Sequence, residues 1–160
     1  MPDGKMHVVR RELGSDAHPV RGSGARRSDD DAAARRILVV DDVEDNRDLY
    51  ATYFAHWGFH AEQASDGEEA LAIVAKRAPD VVIMDLSMPK LDGWEATRLI
   101  KSNPRTTQVI VIVVTGNTTP ANLEAARAAG ADAVCAKPCL PKELLDCVQE
   151  LLRKTAHRTR

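Results

Sequence analysis

Four apolar runs in this chain each stop at a residue able to hold a phosphoryl group or a metal ion, and they constrain the fold more than any other feature. Ile37-Leu38-Val39-Val40 ends in Asp41-Asp42, and Val81-Val82-Ile83-Met84 ends in Asp85. Val109 to Val114 ends in Thr115, and Ala133-Val134-Cys135-Ala136 ends in Lys137-Pro138. Short, β-branched runs of this kind predict strands buried on both faces, hence a parallel sheet. In open parallel sheets, ligands sit beyond the carboxyl ends of the strands. Three carboxylates, a hydroxyl and an ammonium are therefore expected along one edge.

Helix signals lie between the runs. From Arg35 onward strand and helix patterns alternate five times. Strands are expected at about 36–40, 59–64 (weaker), 80–84, 108–114 and 132–136. Helices are expected from Glu44 or Asp45 to Trp57, from Ser65-Asp66 to before Pro79, over 94–102, over 120–129, and from Pro141 to about Arg153. Gly58 and Gly130 suit helix C-terminal caps, and Pro120 and Pro141 suit first helical turns. This βα alternation predicts right-handed crossovers and a doubly wound α/β domain, a three-layer sandwich.

The chain has 160 residues, room for one domain with a proper core. Residues 35–152 carry 12 Lys/Arg against 18 Asp/Glu, which argues against nonspecific nucleic-acid binding. No apolar stretch reaches the ~18 residues of a membrane span, and the start lacks a secretory pattern. A cytoplasmic location with no membrane partner is the expectation. The odd set Cys135, Cys139 and Cys147 lacks a C-x-x-C pair and fits reduced thiols without a metal role.

Residues 1–34 mix six basic and six acidic residues without a hydrophobic face, so a disordered extension is expected. The expected domain spans 35–153, followed by a basic tail over 154–160.

Adjacent Asp41 and Asp42 converging with Asp85 would repel one another by roughly 4 kcal/mol per pair at ~4 Å and effective dielectric near 20. A hard divalent cation relieves that repulsion, and Mg²⁺ favours carboxylates, waters and phosphate oxygens. Lys137 can neutralise a phosphoryl oxygen, and the Thr115 hydroxyl can follow it. Phosphoryl transfer needs positioning and charge neutralisation above all. Asp85, on the central strand, is the natural nucleophile for an aspartyl phosphate. The histidines lie away from the strand ends and are not phosphodonor candidates. Asn46, at the first helix start, fits a helix-start residue better than a site contact.

Val39-Val40-Asp41-Asp42, Met84-Asp85-Leu86-Ser87-Met88-Pro89 with Asp92-Gly93, Thr115-Gly116, Gly130-Ala131-Asp132 and Lys137-Pro138 together resemble the receiver domain of bacterial two-component response regulators. The resemblance covers about residues 35–153. It implies a flavodoxin-like (βα)5 fold with a parallel five-stranded sheet in order 2-1-3-4-5. It implies Asp85 as phosphoacceptor, and Mg²⁺ held by Asp41, Asp42, Asp85 and the Ser87 backbone carbonyl. Thr115 and Lys137 would bind the phosphoryl group, and the Lys137–Pro138 bond would be cis. A histidine kinase or histidine phosphotransfer protein would be the donor. The output would be contact with a downstream protein rather than catalysis on another substrate, and a stand-alone receiver is the expected form. The chain departs from the family pattern at Val134, where members usually carry an aromatic that swings inward on activation. Two other readings compete: a phosphatase of the haloacid-dehalogenase type, and a receiver-fold binding module that works without phosphorylation. Ser87 stands where the first would need a second Asp, and the intact site argues against the second.

Overall fold

The computed structural model describes residues 7–9, 34–86, 88 and 92–158. In chain order the elements are β1 (His7–Val9), β2 (Arg36–Val40), α1 (Glu44–His56), β3 (His60–Ala64), α2 (Gly67–Lys76) and β4 (Val81–Asp85). They continue with α3 (Gly93–Ser102), β5 (Ile110–Thr115), α4 (Pro120–Ala129), β6 (Ala133–Ala136) and α5 (Pro141–Arg158). All sheet pairings are parallel, in the order β1-β6-β5-β4-β2-β3. Counted from Arg36, the five strands β2 to β6 have the order 2-1-3-4-5 that the resemblance implied.

Strand alternation divides the core into two layers, because successive side chains point to opposite faces. Leu38, Val40, Val82, Met84, Val111, Val113 and Val134 join one apolar cluster with residues of α2, α3 and α4. Ile37, Val81, Ile83, Ile110, Ile112, Val114 and Cys135 join the other, with Phe54 of α1 and Leu144, Leu145 and Val148 of α5. Burial of each large aliphatic side chain contributes about 1.5–3 kcal/mol. The sheet is thus fixed from both sides, and its strand ends are held in register.

Local chemistry sets the helix boundaries. Asp66 caps α2 by accepting from Glu69 N at 2.8 Å, while Glu69 Oε2 accepts from Ser65 N at 2.7 Å. The arrangement resembles a capping box, with Glu69 reaching one residue before the cap. Asp92 caps α3 by accepting from Glu95 N at 2.7 Å. Gly130 ends α4 at φ +90°, a left-handed position that an L side chain rarely adopts.

Two expectations need correction. His7–Val9 fall inside the segment expected to be disordered, yet they form a sixth strand beside β6, with Val8 opposite Val134. Ala133-Val134-Cys135 offers a parallel edge, and the short apolar pair Val8-Val9 satisfies it. The rest of the 1–34 expectation lies outside the described residues, except Ala34. Second, α5 runs to Arg158 instead of stopping near Arg153, so the helix takes up most of the expected tail. Lys154 Nζ pairs with Glu150 Oε1 one turn earlier at 2.7 Å, and the basic residues of the last turn face the negative end of the helix dipole.

Candidate functional site

Asp41 follows β2 directly, and Asp85 is the last residue of β4, the strand paired with β2. Parallel pairing of Val40 with Met84 brings their successors to the same edge. Asp41, Asp42 and Asp85 each offer a carboxylate oxygen, and these oxygens lie within 4.8 Å of one another. Asp41 and Asp85 are buried, whereas Asp42 is exposed. Lys137, just beyond β6, reaches across β5 so that its Nζ lies 2.9 Å from Asp85 Oδ1. Its backbone N donates to Thr115 O at 2.8 Å, which ties the β6 exit to the end of β5.

Asp41 is held from several directions. Its Oδ1 accepts from Val43 N at 2.9 Å, and its Oδ2 accepts from Asn46 Nδ2 at 3.3 Å. The Arg47 guanidinium donates to its backbone carbonyl at 2.8 Å. Burial pushes the Asp41 carboxyl above its ordinary value, and the Asp85 charge adds to the rise. The Val43 amide, the Lys137 ammonium and the Asn46 amide oppose that rise. A buried carboxylate beside a second one is poised to gain from a cation.

Thr115 is buried at the end of β5, and its Oγ1 accepts from Asn117 N at 3.1 Å. The hydroxyl is engaged by the following loop, and no hydrogen bond joins it to Asp85 among the described residues. Ser87, the expected carbonyl ligand, lies outside the described residues. The Lys137–Pro138 peptide is cis, as the resemblance implied.

Helix α3 approaches this edge closely. A Cβ on Gly93 would sit 2.6 Å from the Asp85 backbone oxygen and 2.8 Å from Leu86 Cδ2. Glycine is the residue that lets the α3 N-terminus pass the end of β4. Further from the carboxylate edge, Lys101 Nζ donates to Asp132 Oδ2 at 2.9 Å, and the same oxygen accepts from Val111 N at 2.8 Å. Asp132 therefore joins α3, β5 and the turn into β6, and has a structural role.

A cavity of about 440 Å³ opens beside the carboxylates, lined among others by Asp41, Asn46, Tyr50, Asp85, Lys137 and Cys139. Tyr50 closes one wall by donating to Cys139 O at 2.7 Å. Burial, chiefly, pushes its phenol up to about 12, so it stays a donor. The structure thus brings together Asp41, Asp42, Asp85 and Lys137, with Thr115 on the neighbouring strand end. Asn46, Arg47 and Tyr50 also hold the site. The sequence reads Asn46 mainly as a helix-start residue; its place in the first turn of α1, five residues after Asp41, is the signal for a contact.

Residues 37–149 match the family model for the response regulator receiver domain. The chain belongs to that family. It is 37% identical over 121 residues to the response regulator MprA of Mycobacterium sp. strain KMS, covering 76% of this chain and 52% of that protein. The chain therefore spans about half the length of the curated relatives it matches. Among solved structures, the Vibrio cholerae chemotaxis response regulator CheY4 superposes with a TM-score of 0.70 at 30% identity, covering 73% of this chain and 98% of that one. A CheY-like receiver domain protein of Methanospirillum hungatei gives a TM-score of 0.74 at 27% identity, covering 78% of this chain and 98% of that one. Strand β1 falls outside the residues that match the receiver family model. Among the described residues, no helix is long and apolar enough to cross a membrane.

An oxygen-only donor set suits a hard cation such as Mg²⁺ and not a softer metal. The buried Asp41 and Asp85, with the exposed Asp42 open to water, fit that group.

Proposed function

We propose that this receiver accepts a phosphoryl group on Asp85 from the phosphohistidine of a histidine kinase or phosphotransfer protein in the cytoplasm. The observation that carries the reading is the Asp85 carboxylate, 3% exposed, with Lys137 Nζ at 2.9 Å and the Asp41 and Asp42 oxygens within 4.8 Å. A carboxylate oxygen of Asp85 attacks phosphorus as the bond to the histidine nitrogen breaks. Asp41, Asp42 and Asp85, with the Ser87 carbonyl, would hold Mg²⁺, which would supply positive charge to the phosphoryl oxygens. Lys137 exchanges part of its contact with Asp85 for a phosphoryl oxygen. Thr115 turns its hydroxyl from the Asn117 backbone toward another.

The output is a change in protein–protein contact, and the chain acts as a signalling receiver whose chemistry is its own phosphorylation and dephosphorylation. Val134 is 1% exposed within the core and offers no aromatic to swing, so the signal leaves through Thr115 and the β5–β6 edge. The acidic surface of residues 35–152 favours a protein partner over nucleic acid for this domain.

Incubation with Mg²⁺ and acetyl phosphate, followed by intact mass, tests the reading. A gain of one phosphoryl group, absent in Asp85→Asn and absent with EDTA, is expected. A gain that survives in Asp85→Asn would overturn it.

A further inference from the structure

The two ends of the sheet differ in character. β3, at one end, carries His60, Glu62 and Gln63; Glu62 pairs with Arg36, and Gln63 Nε2 donates to Asp48 Oδ1 at 3.1 Å. Charged and polar side chains of this kind guard an edge against further strands. β6, towards the other end, reads Ala133-Val134-Cys135-Ala136 and holds neither a charge nor a proline. Its own sequence does nothing to turn an incoming strand away. β1 takes that place, with His7, Val8 and Val9 opposite Ala133, Val134 and Cys135 in parallel register.

β1 is a weak occupant. It is three residues long, and β6 is the element it chiefly packs against. Ordering so short a strand costs backbone entropy comparable with what its ladder hydrogen bonds return. Its hold comes from the tether, because a strand on the same chain meets the edge at high effective concentration. Charge adds to the fit. Residues 5–11 carry Lys5, Arg10 and Arg11 and no acid, while residues 35–152 carry 12 Lys/Arg against 18 Asp/Glu. Opposite net charges draw a basic segment to this domain. The edge also lies close to the carboxylate site. Val9 is opposite Cys135, two residues before Lys137, whose Nζ lies 2.9 Å from Asp85 Oδ1.

We propose that the β6 edge is a docking site for a basic, extended segment of a partner protein with two adjacent β-branched residues, and that β1 is the chain's own competitor for it. The incoming segment adds as a parallel strand. Backbone hydrogen bonds to β6 supply affinity, and the β-branched pair with its flanking cations supplies selection. β1 keeps the edge closed until the partner displaces it. A signalling output through this edge rests on the phosphoacceptor reading; the docking itself does not.

The probe is a fluorescein-labelled peptide of residues 5–11. The full chain is compared with the full-length variant Val8→Pro/Val9→Pro, whose prolines remove amide donors from β1 and release the edge. Without a phosphodonor present, fluorescence anisotropy should show saturable binding to the variant, about tenfold tighter than to the wild type, where the tethered strand competes. Hydrogen exchange at residues 133–136 of the variant should slow when the peptide is added. A peptide with the same two prolines keeps the charge and should bind about tenfold more weakly. Absence of saturable binding to the variant, equal affinity for both proteins, equal binding of the proline peptide, or protection away from β6 would overturn the docking site. A wild-type chain that sediments as a dimer, with the variant a monomer, would give the edge to a second copy and overturn the partner reading. Asp85 labelling with acetyl phosphate is read separately by intact mass. Labelling without peptide binding removes the docking site and leaves the phosphoacceptor; binding without labelling does the reverse.

Discussion

Lys137 Nζ lies 2.9 Å from Asp85 Oδ1, joining residues 52 positions apart in the chain. The pair spans the width of β5 and places a positive charge against a buried carboxylate that already faces two others. Lys137 is one-third exposed while Asp85 is almost fully buried, so solvent screens much of the attraction. Lys137→Ala should therefore lower stability by under ~1 kcal/mol. Phosphoryl incorporation, by contrast, should fall about 10²-fold, the usual scale for losing one preorganised charge partner. Chemical denaturation and timed mass spectrometry separate the two effects; a large stability loss with labelling intact would assign Lys137 a purely structural role.

Asp41 gives a prediction with a definite sign. Its folded-state carboxyl is raised above the ordinary value, first by burial. Between those two values the folded chain holds a proton that the unfolded chain has released. Stability from this group thus falls as pH rises through that window, and the charged, desolvated form is a cost above it. Asp41→Asn keeps an oxygen acceptor for Val43 N and removes the charge. Without Mg²⁺ at neutral pH it should be more stable than the wild type by about 1 kcal/mol, or a few degrees in Tm. The gap should shrink in acid and on adding Mg²⁺ to the wild type. Thermal melts across pH decide it; a variant less stable at neutral pH would contradict the sign.

Asn46 orients the second Asp41 oxygen without being a site carboxylate itself. Asn46→Ala should weaken Mg²⁺ binding about tenfold, the low end for loss of a partner that orients a metal ligand. The Mg²⁺ dependence of labelling at saturating acetyl phosphate reads this directly. Unchanged half-saturation would remove Asn46 from the site.

Gly93→Ala would place a methyl group 2.6 Å from the Asp85 backbone oxygen. Either α3 or the β4 exit must shift, at about 2 kcal/mol. Urea denaturation should show that loss, and the displaced Asp85 should label more slowly. A neutral substitution would mean that α3 approaches less closely in solution.

Strand β1 covers the β6 edge through the pairs His7–Ala133, Val8–Val134 and Val9–Cys135. Deleting residues 1–10 should leave that edge unpaired and speed hydrogen exchange of β6 amides, with β2 to β4 unaffected. Equal exchange in both forms would show that the strand does not hold in solution.

The sequence alone carried the architecture, because it is written in local patterns. Val39-Val40 and Val81-Val82-Ile83 read as buried strands, Pro120 and Gly130 bound α4, and each run ends at its chemistry. Strand order from Arg36 and the gathering of Asp41, Asp42, Asp85 and Lys137 followed from those patterns together with the family resemblance. What needed the tertiary structure were relationships between distant elements. Val8-Val9 is too short to signal a strand; it becomes one because β6 offers an edge. The continuation of α5 to Arg158 draws on Glu150–Lys154 pairing that the basic tail composition hid. The Asn46 contact and the tight passage of Gly93 both depend on how helices seat against strand ends. Periodicity fixes which face of an element is buried; packing decides which side chains meet there.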